Sequence, residues 1–456
     1  MTTSATETGA KPEISHLARV QELLEEDAWR EAADLLRKLP PAEVAHVLEA
    51  LPLTQRQILW DLLDTDQDGE TLMELTEGVR NELVQNMDQE EIVAATENMD
   101  VDDLADFIQE LPVDVTREIL ASLDEQDRHR LETVLSYPED TAGGLMNTDT
   151  VTVRPEVTLD VVLRYLRQLG DRVPRNTDQL FVTNRQDKYL GALRLADLVT
   201  HPPNQTVAEV MNLDVKPFKA HADASQVARR FEQYDLISAP VVDDEGKLVG
   251  RITVDDVVDL IREEGEHQFM GSAGLSEDED MFAPVLVSSR RRAVWLGVNL
   301  VTAFLASWVI GQFQETLHKI VALAVLMPIV ASMGGVGGTQ TLTLAIRGIA
   351  LGQLSGRNAL YLLLKELGVA AINGLLWAVV VGAVAGYWFH NTEIALVIGA
   401  AMIINLLAAA ITGAVLPLLL RRLGIDPALA GGVLLTTVTD VVGFLSFLGL
   451  ATLFLL

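Results

Sequence analysis

The chain has no cysteine in 456 residues, which excludes disulfides, thiolate metal sites and thiol nucleophiles and leaves the compartment open. Positive charge is also scarce: 34 Lys and Arg stand against 65 Asp and Glu, for a net of -31. That excess argues against nucleic acid as a partner, because a nucleic-acid surface needs basic patches. The N-terminus, Met1-Thr2-Thr3-Ser4-Ala5, lacks a basic segment followed by an apolar one, so no cleaved signal peptide is expected. Acid itself becomes rare after residue 288, where only Glu315, Glu366, Glu393, Asp426 and Asp440 follow. Before that point 25 basic and 60 acidic residues leave a net of -35; after it nine basic and five acidic residues leave +4. The two parts are built for different solvents, and 456 residues suit two or three domains. The acidic part is either a solvated surface or a surface matched to cations.

The C-terminal part is apolar. Five runs, 293–313, 320–346, 367–389, 394–420 and 428–456, are long enough to cross a hydrocarbon core, which takes roughly 20 residues of helix. Lys and Arg collect on the cytoplasmic side of a membrane. Arg290, Arg291 and Arg292 precede the first run, Arg347, Arg357 and Lys365 separate the second from the third, and Arg421 and Arg422 follow the fourth. Loops 314–319 and 390–393 carry at most one Lys. The acidic part is therefore expected in the cytoplasm and the C-terminus outside, in a multi-pass cell-membrane protein (the inner membrane of a Gram-negative cell).

Within these runs only Asp440 carries a formal charge. A mid-membrane aspartate costs about 2.5–3.5 kcal/mol on insertion scales, so it faces a protein interior or a water-filled path. Asp440 reads as an ion ligand, the alternative being a carboxyl bonded to Thr436, Thr437 or Thr439 as packing glue. The second run contains Pro328 and then Gly334, Gly335, Gly337 and Gly338. Such a cluster weakens a helix and frees carbonyls to line a path, or serves close packing through Gly334 and Gly338.

Residues 17–135 read as short amphipathic helices with regular starts at Leu39-Pro40, Leu51-Pro52, Met87-Asp88, Met99-Asp100, Leu111-Pro112 and Leu123-Asp124. That regularity suggests a right-handed pile of helical hairpins. Asp64-Thr65-Asp66-Gln67-Asp68-Gly69 copies half of an EF-hand loop, but Leu75 stands at the twelfth position, so a capped turn is expected there. Asp102 and Asp106 lie four apart on one helix face, an arrangement that needs a cation or basic partner to offset it.

From residue 146 strands at 151–153, 180–183 and 190–193 alternate with a helix at 159–169; strands at 215–218, 239–242 and 248–252 repeat the pattern around a helix at 224–234. The two copies resemble cystathionine β-synthase (CBS) domains, which pair in tandem and often bind adenine nucleotides. The ribose-phosphate signature of such domains appears as Gly250, Thr253 and Asp256 in the second copy. In the first, Gly191 and Asp197 are present but Arg194 replaces the hydroxyl. The pair could bind ATP or another adenine nucleotide, or act as a scaffold.

Acidic helical domain, CBS pair and five spans together resemble the MgtE family of magnesium channels over nearly the whole chain. The segments that carry the likeness are Arg421 through Leu429, Thr436 through Gly443, and Tyr137 through Met146. The resemblance implies a multi-domain fold: an all-α superhelical N-terminal domain (1–136), an α+β tandem CBS pair (137–205 and 206–260), a linking, plug-like helix (261–292) and a five-helix transmembrane domain (293–456). It implies a homodimer in the lipid bilayer with no enzymatic chemistry, in which Asp440 of each subunit holds a hydrated Mg2+; Gly334, Gly335, Gly338 and Gln340 are candidates to line the path. It implies that cytoplasmic Mg2+ closes the path by binding acids matching Asp102, Asp106, Asp235, Asp256, Asp259, Glu264 and Asp426. The chain departs from the family at Val336, where Asn is usual, and at His267, Gln268 and Ser225, where acids are usual. These departures weaken the expected selectivity and the hold on regulatory Mg2+. A proton- or sodium-coupled metal carrier is the second reading, and would need another titratable or sodium-binding group at depth, where the sequence offers Thr, Ser and Asn405 but no other membrane carboxylate. A nucleotide sensor that uses the spans as an anchor is the third, and has no use for Asp440.

Overall fold

Proline and aspartate open the N-terminal helices as expected. Pro40 caps the helix Pro41–Glu49, Pro52 caps Leu53–Trp60, and the Asp124 side chain accepts from the backbone N–H groups of Gln126 and Asp127 to start Glu125–Leu135. Asp88 and Glu91 exchange side-chain-to-backbone bonds, each 2.9 Å, in a capping box. These contacts are seen in a computed structural model that describes residues 16–63, 68–96, 99, 101–109, 111, 113–276 and 279–456. Residues 64–67 of the calcium-loop-like segment, Asp100 and Pro112 lie outside the described residues. The chain divides into two compact units, one of Met1–Arg262 with Asp278–Pro284, the other of Glu263–Glu277 with Val285–Leu456.

In the first unit, among the described residues, ten short helices between His16 and Leu135 stack and bury apolar faces, for example Ala32, Ala33 and Leu36 of Trp29–Leu36. Arg56 lies among them fully buried. Its guanidinium donates to the carbonyls of Leu48 and Leu51 and to the carboxylates of Glu82 (2.7 Å) and Asp280 (3.0 Å). A buried charge is tolerable only when paired and hydrogen-bonded, and every donating group used here has an oxygen to meet.

Two three-stranded sheets follow. β1 (Thr152–Val153), β2 (Gln179–Thr183) and β3 (Tyr189–Arg194) form one; β4 (Phe218–Lys219), β5 (Ser238–Val242) and β6 (Leu248–Thr253) form the other. In each the first pair is parallel and the second antiparallel, with a register shift at the same place, Val182/Thr183 and Val241/Val242. The expected repeat is thus reproduced down to its irregularity, and its helices occupy Leu159–Leu169 and Ala224–Tyr234. Residues at matching positions meet across the copies: Gln179 bonds Ser238, and Lys188 pairs with Lys247.

The segment Tyr137 through Met146 docks on the second copy although it leads into the first. Ala142 and Gly143 donate to the carbonyls of Ala222 and Ala220. Glycine is required there, since a Cβ on Gly143 would lie 2.4 Å from the Tyr137 ring and one on Gly144 2.5 Å from the Pro138 carbonyl. As a result one apolar core runs from the helical stack through Ala142 and Met146 into the second copy, while the first copy keeps its own.

In the second unit five helices are long and apolar enough to cross a membrane: Val285–Gly311, Ala322–Ala350, Ala359–Phe389, Thr392–Arg422 and Pro427–Leu455. The fourth is the most buried and packs on the second, third and fifth, so it is the axis of the bundle. The second helix corrects one expectation. It runs unbroken from Ala322 to Ala350 through Pro328 and all four glycines, so the cluster does not open the backbone. Backbone polar groups with no water to turn to keep their intrahelical bonds.

Candidate functional site

Asp440 is residue 14 of the 29 in the fifth helix, at its middle. It is half-buried, and among the described residues its carboxylate has no hydrogen-bond or salt-bridge partner. The packing-glue alternative fails on geometry: Thr436, Thr437 and Thr439 all turn their hydroxyls back onto carbonyls of their own helix, at Gly432, Val433 and Thr436. A carboxylate at membrane depth with its acceptor sites open has the chemistry to hold a hard cation.

The glycines of the second helix serve close approach. A Cβ on Gly334 would lie 2.2 Å from Asn405 Nδ2, and one on Gly338 would lie 2.8 Å from Leu435. Gly334 and Gly338 are therefore buried contacts of the second helix with the fourth and fifth, while Gly335 has open space before it. Gln340 and Val336 face outward. With them Ser332, Thr339 and Thr343 are also exposed, and the five fall within an arc of roughly 100° on a 3.6-residue helix. The membrane helix thus leaves a stripe open in a single subunit that carries four polar side chains among exposed apolar ones such as Val325 and Val336. Single-residue inspection of the sequence missed this stripe; the spacing 332, 336, 339, 340, 343 was its signal.

Two further polar groups lie within the membrane unit, and of these sequence reasoning missed Glu366. Asn405, in the fourth helix, is fully buried, donates from Nδ2 to the Val330 carbonyl at 2.8 Å, and has no partner for Oδ1. Glu366 was placed outside the third span, but the helix begins at Ala359 and buries it. The apolar run Ala359-Leu360-Tyr361-Leu362-Leu363-Leu364 before Lys365 was the overlooked signal.

The acids expected to bind regulatory cation are distributed as follows. Asp102 accepts from Asn147 Nδ2 at 3.0 Å, and Asp106 on the same helix is exposed. Asp235 caps the helix Ala224–Tyr234 in a left-handed conformation. Asp256, Asp259 and Glu264 share one helix, Val254–Ser272, which starts ahead of the expected linking segment. Burial first, and then the charge of Asp259, push the Glu74 carboxyl above its ordinary range, Arg262 partly offsetting them. Glu74, at the end of the helix Asp68–Glu74, therefore feels charges of both signs from the Val254–Ser272 helix, Asp259 and Arg262. In the second unit, Asp426 accepts from Ala428 and Leu429 at the start of the fifth helix and from His267 Nε2 at 3.0 Å. Ser225 is served by Asp223, the cap of its helix. Among the described residues no three His, Asp or Glu are gathered into a ready metal site.

The nucleotide signature is occupied by its own residues. A Cβ on Gly250 would meet the Asn147 carbonyl at 2.8 Å, so this glycine admits the segment at Asn147, which bridges Arg251. Asp256 accepts from both the Thr253 N–H (3.1 Å) and hydroxyl (2.9 Å), whereas in the first copy Arg194 takes Asp197 at 2.9 Å. Burial, and secondarily Asp255, raise the Asp256 carboxyl from 3.8 to about 6, against the two Thr253 bonds. Because the folded chain favours the protonated form, this group's stabilisation is full below about pH 4 and is lost as pH rises through about 6. In metal-free buffer, wild type is expected to lose on the order of 2–3 kcal/mol between pH 4 and 7 relative to Asp256→Asn. Denaturant unfolding of the N-terminal unit in the solubilised chain measures this, and parallel pH profiles would contradict it.

Three family models match the chain. The divalent cation transporter model, MgtE, covers residues 327–450, the MgtE intracellular N domain 39–140, and the CBS domain 142–204 and 207–263. The magnesium transporter MgtE of Thermus thermophilus is 32% identical over 443 residues, 96% of this chain and 98% of that protein. The magnesium transporter MgtE of Bacillus subtilis is 27% identical over 439 residues, 96% of this chain and 97% of that one. A crystal structure of the cytosolic domain of the Mg2+ channel MgtE in complex with ATP is 31% identical and covers 54% of this chain and 99% of its own, with a TM-score of 0.49. A five-helix membrane unit holding an unpartnered carboxylate, a tandem CBS pair and an acidic helical stack therefore have one explanation: the chain belongs to the MgtE family of divalent cation transporters.

Proposed function

We propose that the protein is a magnesium channel that lets Mg2+ into the cytoplasm down its electrochemical gradient, with Asp440 as the ligand in the path. The observation that carries this reading is the mid-membrane carboxylate with no protein partner among the described residues. Mg2+ dehydrates reluctantly and is usually held by one or two carboxylates with its waters retained. One Asp440 from each of two copies meets that need. The open stripe supports a homodimer, since Ser332, Gln340 and Thr343 are polar side chains at membrane depth that call for a partner or a wet path, whereas Thr339 returns its hydroxyl to the Gly335 carbonyl. Basic residues at Arg290 through Arg292, Arg347, Arg357, Lys365, Arg421 and Arg422 support a cytoplasmic N-terminal unit and an outside C-terminus in the cell membrane.

Gating by cytoplasmic Mg2+ follows from the same unit's charge. Glu74 stands against Asp259, and a cation between such acids would relieve their repulsion and hold the helices closed. Asp102, Asp106, Asp235, Asp256, Glu264 and Asp426 are the other proposed gating acids. His267 already bonds Asp426, so regulatory Mg2+ has one fewer open carboxylate there. Gly250, Thr253 and Asp256 are the proposed contacts for an adenine nucleotide, which would have to displace the Thr253–Asp256 bond. Mg2+ uptake by proteoliposomes, with Mg2+ titrated on the side of the N-terminal unit, tests the reading. Uptake that falls as this Mg2+ rises supports it; no uptake at any concentration refutes it.

A further inference from the structure

Glu366 has no part in the proposed path, yet it is only 5% exposed inside a membrane helix. Its Oε2 accepts from the Thr341 hydroxyl at 3.0 Å and its Oε1 from the Lys365 ammonium at 2.6 Å. Thr341 belongs to the second helix, one turn past Gly337 and Gly338. Gly413 of the fourth helix also comes so close that a Cβ there would lie 2.8 Å from the Gly338 carbonyl oxygen and 2.9 Å from Thr341 Cβ. The turn Gly337 through Thr341 therefore meets both a carboxylate on the third helix and bare backbone on the fourth.

A buried carboxylate is costly unless it is paired and hydrogen-bonded, and elsewhere these helices meet through glycine and alanine. Lys365 matches the charge, which leaves Thr341 as the contact the carboxylate makes with another helix. Pinning Thr341 inward fixes the rotation of the second helix, and Gln340, one residue and about 100° earlier, is thereby held on the open stripe.

We propose that Glu366 is a positioning residue of the cation path, acting through Thr341 to set the rotation and depth of the second helix and so the placement of Gln340. This rests on the channel reading above. Glu366 also supplies the second membrane carboxylate that a coupled carrier would need, but its pairing with Lys365 suits it to hold a helix in place.

The test is Mg2+ and Co2+ flux through the full chain in liposomes for wild type, Glu366→Ala, Glu366→Gln, Thr341→Val, the Ala/Val double variant and Asp440→Ala. Glu366→Ala and Thr341→Val should each lower Mg2+ flux about tenfold, the scale of one charge-assisted hydrogen bond. Both should shift the Mg2+/Co2+ ratio in the same direction, and the double should be no worse than either single. Glu366→Gln keeps an acceptor for Thr341 and should recover most of the flux and the wild-type ratio. Loss of folded protein alone would lower both fluxes in proportion, which overturns the proposal, as does a Glu366→Ala variant that matches wild type. If wild type and Asp440→Ala conduct alike, the channel reading fails; if they differ while Glu366→Ala matches wild type, only the role of Glu366 fails.

Discussion

Asp440→Ala is expected to lower Mg2+ flux by about two orders of magnitude, the scale of losing two charge-assisted contacts from a symmetric pair. The helix itself should be untouched, because alanine is the best helix former and among the described residues no protein group bonds the carboxylate. Asp440→Asn keeps an oxygen that can accept from a water of the hydrated ion but removes the charge. It should conduct about tenfold less than wild type and discriminate less against monovalent cations. Flux normalised to reconstituted protein is the measurement; wild-type flux in Asp440→Ala would remove Asp440 from the path.

Gly334→Ala should be among the most damaging single-methyl changes in the membrane unit. The added Cβ would fall 2.2 Å from Asn405 Nδ2, and the amide cannot move aside, because a Cβ position on Gly443 lies 2.8 Å from the same atom. Asn405 is wedged between two bare glycines while it bonds the Val330 carbonyl at 2.8 Å. The methyl must break that bond or spread the helices, costing roughly 3 kcal/mol or more from overpacking plus an unsatisfied buried amide. Asn405→Ala in the same chain removes the obstacle and should restore part of the loss, whereas Gly335→Ala, with nothing within 4 Å, should be tolerated. Thermal stability of the detergent-solubilised chain reads all three, and equal stability of Gly334→Ala and Gly335→Ala would contradict the packing.

The contrast between those two glycines marks the boundary of what the sequence discloses. Helices at Leu159–Leu169 and Ala224–Tyr234 were legible to the residue, because apolar periodicity, caps and repetition agree. The five spans were legible because hydrocarbon imposes length and apolarity. The four glycines were not, since glycine that loosens a helix and glycine that lets a neighbour approach look the same until Asn405, Leu406 and Leu435 are seen against them. Asp440 could be identified from its cost alone. Glu366 could not, because Lys365 beside it made the pair read as a loop boundary. The regulatory acids were visible as a charge excess, but which of them face one another depends on helix packing, and Glu74 against Asp259 emerged only from it.

The central claim is that Mg2+ moves downhill through a path built around Asp440. The most direct measurement is the reversal potential of wild-type Mg2+ current in a planar bilayer, with a Mg2+ gradient held constant and a proton gradient, then a sodium gradient, imposed across it. The reversal potential should follow the Mg2+ gradient alone and stay fixed when either of the others is applied. A reversal potential that moves with the proton or sodium gradient would show coupled transport and contradict the channel.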